Sequence, residues 1–235
     1  MAYAYVAQYG AYTAGAASSI SAAITLASGE NVIVFIGWHR TSGPNINLSS
    51  VSDGTNTYAQ IGSEVQDVLT DVSVLFYAKN VVGGSYTLTA TFSGSSSEGN
   101  YLAAYRYTGL HATAAPQDAK GQIQETPTTA TDAVSTTTMT PTSQPAMVFA
   151  ITNDHVHGPG HLTIGTAAGM NDRGDPPNWL DGLAEDLRIT NTTPLAMTFT
   201  KDINDTQATL GAIFSEAGAA PSATLMGGKC IYIMP

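Results

Sequence analysis

A chain of 235 residues, 43% of them hydrophobic, is large enough to bury a sizeable core, and chains of roughly 200–250 residues commonly form a single β-sandwich or barrel. Charged residues make up only 11% of the chain, less than half of the roughly 25% typical of soluble domains. The net charge is −10 and the eight basic residues lie singly along the chain, which argues against nucleic acid as a partner.

Strand signals dominate the chain, because short runs rich in β-branched and aromatic residues end at Gly, Asn, Asp or Ser. A helical pattern is limited to Asn178–Leu187, where leucines stand three and four residues apart. We therefore predict an all-β protein, an antiparallel β-sandwich in one domain that spans residues 1–235. In chain order the predicted strands are Tyr3–Tyr9, Ala23–Leu26, Asn31–Trp38, Thr57–Ile61, Val72–Ala78, Tyr86–Phe92, Tyr101–Tyr107, Ala146–Thr152, Leu162–Thr166, Ala184–Ile189, Leu195–Phe199, Ala208–Phe214 and Lys229–Ile233.

Two of these runs predict which sides of their strands are buried and which are exposed. In Tyr86–Phe92, apolar side chains alternate with threonines, which predicts one buried side and one solvent-facing side. In contrast, Val32–Trp38 is apolar on both faces, which is typical of a central strand that is covered twice. We expect the second cover to be a loop or a neighbouring subunit.

The threonine-rich segment Gln122–Pro145 is poor in bulky apolar residues and fits either a linker or a polar edge strand. The alternation that begins at Val134 favours the edge strand, since polar edges limit unwanted pairing.

A weak internal repeat relates the two halves of the chain, at about residues 20–115 and 135–218. Ile24–Ile36 overlays Met139–Ile151 as a strand, a Ser-centred turn and an apolar strand. Farther along, Tyr101–Tyr105 overlays Thr209–Ile213 in the same way. We expect pseudo-equivalent halves that interleave in one sandwich, with two small domains as the alternative.

Cys230 is the only cysteine, so stability must come from packing or assembly, and the thiol is expected to be buried in a strand. The first residues lack the basic region and the apolar core of a signal peptide. No stretch approaches the length of an apolar membrane span. We expect synthesis in the cytoplasm without classical export, and no membrane partner.

Several strings between Glu30 and Asp118 resemble a module of tailed-phage virion proteins and of bacterial proteins with no assigned role, and a looser likeness extends to Gly218. They are Val51–Tyr58, Val74–Val81 with Gly83-Gly84 after it, the strand that ends at Thr91-Phe92, and Ala104–Leu110. The resemblance implies a jelly-roll-type β-sandwich. It also implies a structural role in the virion, as a capsid decoration, a fibre, or a head- or tail-associated surface protein, and it supplies no catalytic residues.

Two stretches have the residue types of metal sites. His155, His157 and His161 follow Asp154 and together have ligands that suit zinc, although a solvated loop tip explains them better. The acidic segment Asp172–Asp186 has oxygen ligands that suit calcium, but it lacks the spacing of an EF-hand loop. We therefore predict no metal site and no cofactor.

The sequence contains no Gly-x-Ser-x-Gly elbow and no other spacing typical of a nucleophilic site. Trp38 ends a core strand and is expected to pack, whereas Trp179 is expected on a loop, where aromatic rings contact sugars or proteins. We predict a non-enzymatic protein with no catalytic residue, which assembles with copies of itself and with capsid or tail proteins. The alternative is a glycan-binding or adhesive module.

Overall fold

The computed structural model describes residues 2–39, 46–66, 71–96, 99–124, 133–154, 162–174, 181–201, 207–221, 225–226 and 229–230. These residues form strands, turns and loops, and the pairs of strands are antiparallel. The predicted antiparallel β-sandwich is thereby confirmed. In the described ranges there is no helix with the length and apolar character that a membrane crossing requires.

The first half of the chain forms two sheets from eight strands. The strands are β1 Ala4–Ala14, β2 Ala17–Leu26, β3 Asn31–His39, β4 Leu48–Ser52, β5 Ala59–Gln66, β6 Asp71–Ala78, β7 Gly84–Ser96 and β8 Gly99–Thr108. One sheet has five strands in the order β1-β8-β3-β6-β5, and the other has three in the order β2-β7-β4. Consecutive strands alternate between the two sheets through most of this half, as the alternating turns of a sandwich require.

The second half repeats this arrangement. Its strands are β9 Asp118–Gln124, β10 Ala133–Ser135, β11 Ser143–Asp154, β12 Leu162–Ile164, β13 Met170–Gly174, β14 Asp181–Ile189, β15 Thr198–Lys201 and β16 Gln207–Pro221. The sheets have the orders β13-β14-β11-β16-β9 and β10-β15-β12. A short hairpin follows, formed by β17 Leu225–Met226 and β18 Lys229–Cys230.

Adding eight to each strand number converts both sheets of the first half into those of the second. The weak sequence repeat is therefore a duplication of the whole eight-stranded topology. Each of these sheets takes its strands from one half only, so the expected interleaving of the halves is wrong. Each half forms complete sheets because its two sheets bury their own apolar faces against each other in an outer core.

Within each half, the first strand pairs with the eighth, the second with the seventh and the third with the sixth. This is the pairing of a long hairpin that is folded back on itself. The fourth and fifth strands lie in different sheets, and the fifth extends the larger sheet beside the sixth.

The four sheets stack in the order three, five, five and three strands, with an apolar core in each of the three gaps. The central core lies between the two five-stranded sheets, where the rings of Tyr105 and Phe149 are 5.0 Å apart. An outer core lies beneath each three-stranded sheet; in the first, the rings of Trp38 and Phe92 are 5.5 Å apart. Trp38 is thus a packing residue, as predicted, and its indole N–H donates to the carbonyl of Ile46 at 3.0 Å.

The strand β3 is covered on both sides, as its sequence predicts. Val34 faces the first outer core and Phe35 faces the central core, and both side chains are fully buried. The second cover is the five-stranded sheet of the other half, and neither a loop nor a neighbouring subunit is needed. In β7 the apolar side chains Leu88 and Phe92 are buried, as predicted from the alternation.

The two halves pack face to face. At each side of the contact, an edge strand of one half lies against the non-equivalent edge strand of the other half. On one side β5 lies against β9, where Val65 approaches Gly121. On the other side β1 lies against β13, with the guanidinium of Arg173 4.6 Å from the ring centroid of Tyr5. β9 is the equivalent of β1, and β13 is the equivalent of β5. The two contacts are unequal, because β5 and β9 approach each other more closely than β1 and β13 do.

The close approach at Gly121 yields a stability prediction. A Cβ atom built there would clash with Cγ2 of Val65, so Gly121→Ala should force β5 and β9 apart and lower the free energy of unfolding by about 1–3 kcal/mol. Urea unfolding measures the change. Gly94→Ala is the matched control, because its Cβ would meet only Cγ1 of Ile46 at 3.7 Å. Equal midpoints for the two variants would contradict this packing.

The helical turn expected in Asn178–Leu187 is wrong where the structure describes it, since Asp181–Ile189 is strand β14. Leu183 and Leu187 are four residues apart, and this spacing places side chains on one face of a strand as well as of a helix. This segment pairs with β11 on one side and with β13 on the other, which makes it a strand. Ala133–Ser135, in the threonine-rich segment, is the edge strand β10 of its sheet, as expected.

Candidate functional site

Four of the residues singled out as metal or sugar ligands lie outside the described residues. These are His155, His157, His161 and Trp179. Cys230 lies in β18, although its side chain is outside the described part. Among the described residues, no three His, Cys, Asp or Glu side chains gather in a way that could hold a metal ion.

The acidic segment Asp172–Asp186 is not a single loop in the structure. Asp172 lies in β13, and Glu185 and Asp186 lie in the adjacent strand β14. Because successive side chains of a strand point to opposite faces, Glu185 and Asp186 enter different cores. Glu185 contacts the outer-core side at Gly165, whereas Asp186 points into the contact between the two halves.

Asp186 is the centre of a buried polar cluster between the halves, and its side chain is fully buried. Its Oδ1 accepts hydrogen bonds from the hydroxyl of Tyr3 at 2.8 Å and the amide of Asn171 at 2.9 Å. Its Oδ2 accepts one from the hydroxyl of Tyr107 at 2.9 Å. The guanidinium of Arg173 donates to both oxygens in a bidentate ion pair. The carboxylate therefore has a partner for each of its lone pairs.

This saturation decides what the cluster can do chemically. A general base or a metal ligand needs a free lone pair directed at a substrate or an ion, and the carboxylate of Asp186 has none to spare. Burial and the negative charge of Asp186 also raise the pKa of Tyr3 and of Tyr107, so both phenols stay protonated as donors. The cluster is suited to fixing how the two halves meet.

The position that corresponds to Asp186 in the first half is apolar. Phe35 in the first half pairs with Leu75, and its equivalent Phe149 in the second half pairs with Asp186. Leu75 is buried in the same central core. The corresponding position is therefore apolar in the first half and charged in the second.

Glu185 is a second buried carboxyl group and is fully buried in β14. Its Oε2 accepts a hydrogen bond from the backbone N–H of Gly165 at 2.9 Å, and its Oε1 has no hydrogen-bond partner among the described residues. Burial, with the charges of Asp172 and Asp186 adding to it, raises the pKa of Glu185 to about 7.

This pKa predicts a pH dependence of stability. The folded-state pKa lies above the ordinary value of 4.5, so the protonated carboxyl favours folding below that value and its contribution is lost as the pH rises to about 7. Relative to Glu185→Gln, the wild-type free energy of unfolding should fall by about 3 kcal/mol between pH 4.5 and 7.5. Urea unfolding of both proteins across this range measures the difference. Parallel pH profiles would contradict the shift.

A third polar cluster, formed by Arg106, Glu30 and Tyr9, connects strands of the first half. Arg106 in β8 donates to both carboxylate oxygens of Glu30, at 2.7 and 2.9 Å, and to the hydroxyl of Tyr9 at 3.0 Å. Glu30 also accepts from the backbone N–H of Ala27 at 2.8 Å. These groups cap the turn before β3 and connect it to β1, so they too have structural partners.

The outer face of the β2-β7-β4 sheet is lined by hydroxyl groups, and the three strands contain no charged residue. Its cross-strand rows are Ser19, Thr91 and Ser50, and Ser21, Thr89 and Ser52. The hydroxyls of Ser21 and Thr89 lie 2.8 Å apart. The outer sheet of the second half has a related face, with exposed Thr163, Thr198 and Thr200. Hydroxyl groups therefore lie on the outer sheets at both ends of the four-sheet stack, and the strands of the first end contain no charged residue.

No protein-family model, no curated protein and no solved structure matches this chain. The resemblance to phage virion modules therefore remains a hypothesis based on the sequence strings alone.

Sequence reasoning missed the Asp186 cluster, because Tyr3 and Asp186 are 183 positions apart. The available signal was the acidic pair Glu185-Asp186 between Leu183-Ala184 and Leu187, since a buried charge requires a partner.

Proposed function

We propose that this chain is a non-enzymatic structural protein of a phage virion, a capsid decoration or a head- or tail-associated surface protein that acts by protein–protein assembly. The observation that supports this proposal is the fusion of two equivalent sandwiches through one continuous core. Such a fusion makes a rigid block with similar outer sheets at its two ends, and a repeated structural subunit acts through rigidity and repeated contact.

The chemistry of the described polar groups supports the same proposal. Asp186, Glu30 and Glu216 are buried, and each forms a bidentate ion pair with an arginine side chain. These carboxylates have structural partners. A catalytic or binding function has to be argued from polar groups that are available to a ligand.

The test is the location of the protein in purified particles. Particles from the phage or prophage that encodes the chain should contain it in a fixed copy number by mass spectrometry, and gold-labelled antibodies should mark one part of the particle surface. Recovery only from the particle-free lysate, or only from the bacterial envelope, would overturn the proposal.

A second candidate function is binding of a neutral glycan, and the hydroxyl-lined outer sheet favours it. Hydroxyl groups on a flat, uncharged surface suit a neutral polymer of sugars better than a charged ligand. Thr91→Lys and Thr87→Lys would place a charge on this exposed face without entering a core. Binding on a glycan array that these variants abolish, with Ser63→Lys on β5 as the control, would favour this candidate over assembly.

A further inference from the structure

The edge strands of the two five-stranded sheets differ in charge. β5 carries Glu64, β9 carries Asp118 and Lys120, and β13 carries Asp172 and Arg173. Register shifts also interrupt β5 and β13. Charges and bulges at a sheet edge discourage the pairing of a further strand, so three of the four edges are protected.

The fourth edge lacks this protection. β1 is 11 residues long and has neither a charge nor a proline, and the adjacent edge strand β2 is 10 residues long and equally neutral. Residues 1–29 as a whole contain no charged side chain. β1 keeps an unbroken register with β8 from Ala7 to Ala14, and its one register shift lies near its start. Its equivalent in the second half is the charged strand β9, so this neutral edge occurs on one half only.

The side chains of β1 are incompletely covered at this edge. Tyr9 and Ala11 pack on the outer core, and Tyr5 and Tyr12 on the central core, but all four are only partly buried. Val6 is 41% exposed and, with Val82, is one of two large apolar side chains exposed in the described part of the chain. In the described part of the chain, β1 pairs with β8 on one side and with no strand on the other. A further strand on that second side would cover these side chains.

The net charge of the chain favours a second copy as the partner of this neutral edge. With a net charge of −10, two copies repel each other unless they meet at a neutral surface. An antiparallel strand edge is complementary to its own copy, because a two-fold rotation places its donors against acceptors. The neutral edge therefore suits a second copy of this chain.

We propose that β1 is a self-association edge: β1 of one copy pairs antiparallel with β1 of a second copy, and the two five-stranded sheets join into one sheet of ten strands. This inference rests on the proposed assembly function for its biological setting. It specifies the surface and the partner of the first assembly step.

Sedimentation velocity of the full chain, from about 1 to 100 µM, tests the proposal. We expect a dimer for the wild type. The double variant Ala4→Lys and Val6→Lys changes two exposed residues of β1 and should weaken the dimer at least about tenfold, since edge lysines oppose strand addition. Ser63→Lys is the matched control, because it places an exposed lysine on β5 at the opposite edge of the same sheet. It should leave the dimer intact.

Hydrogen exchange locates the contact even if the double variant is unstable. Raising the wild-type concentration should increase the protection of backbone amides in β1 and not in β5, β9 or β13. A monomer at 100 µM, or a dimer protected at another edge, would overturn the proposal. A monomer that is nevertheless found in particles would leave the virion function standing, whereas a dimer absent from particles would overturn only that function.

Discussion

Replacing Val34 by aspartate should prevent folding. Val34 is fully buried in β3, between strands on both sides and beneath the outer sheet. A carboxylate there would lie among apolar side chains without a charged partner, at a cost of several kcal/mol. That cost is comparable with the total stability of about 5–15 kcal/mol of an ordinary domain. Soluble yield, far-ultraviolet circular dichroism and urea unfolding measure the outcome.

Thr89→Asp is the control for this prediction. Thr89 lies on the outer face of β7, where its hydroxyl is 2.8 Å from that of Ser21, and an aspartate could still accept that hydrogen bond. We expect a change of less than about 1 kcal/mol, as for most surface substitutions. Similar unfolding midpoints for Val34→Asp and Thr89→Asp would show that the buried and exposed faces assigned to these strands are wrong.

Asp186→Leu should be the most damaging change in the contact between the halves, although it copies Leu75 of the other half. The substitution leaves Arg173 without its carboxylate in a largely buried position. Removing one partner of a buried ion pair costs about 3–5 kcal/mol, because the remaining charge is uncompensated. Arg173→Leu should cost a similar amount.

The double variant Asp186→Leu and Arg173→Leu distinguishes the pair from simple packing. We expect it to be more stable than either single variant, because no buried charge remains, although the hydroxyl of Tyr107 then lacks its acceptor at a cost of about 1–3 kcal/mol. Lys120→Met is the control, since the Lys120–Asp118 pair is exposed and should contribute less than about 1 kcal/mol. Urea unfolding measures the cycle. Additive effects of the two single changes would contradict a coupled pair.

Strand identity was predictable where the hydrophobic period was clear. The alternation in Tyr86–Phe92 and the apolar run Val32–Trp38 both predicted burial that the structure confirms. Short polar strands such as Leu48–Ser52 and Asp118–Gln124 escaped prediction. Their backbones pair at sheet edges, and their side chains contribute little to a core, so their sequences carry a weak signal.

The repeat was detectable in the sequence, but its register was one residue out. The overlay of Ile24–Ile36 on Met139–Ile151 aligns Phe35 with Ala150, whereas the structure makes Phe149 the equivalent of Phe35. A slip of one residue moves every side chain of a strand to the opposite face. Only the pairing of Phe35 with Ala103 and of Phe149 with Ala212 reveals the correct alignment.

The sequence by itself determined the all-β class, the facing of the clearest strands and the existence of a repeat, since each follows from local periodicity within one or two strands. The tertiary structure decided that the halves form separate pairs of sheets, that their five-stranded sheets meet in a shared core, and that Asp186 is paired with Arg173 in this contact. These features depend on which faces bury each other over long sequence separations, and local periodicity contains no information about that choice.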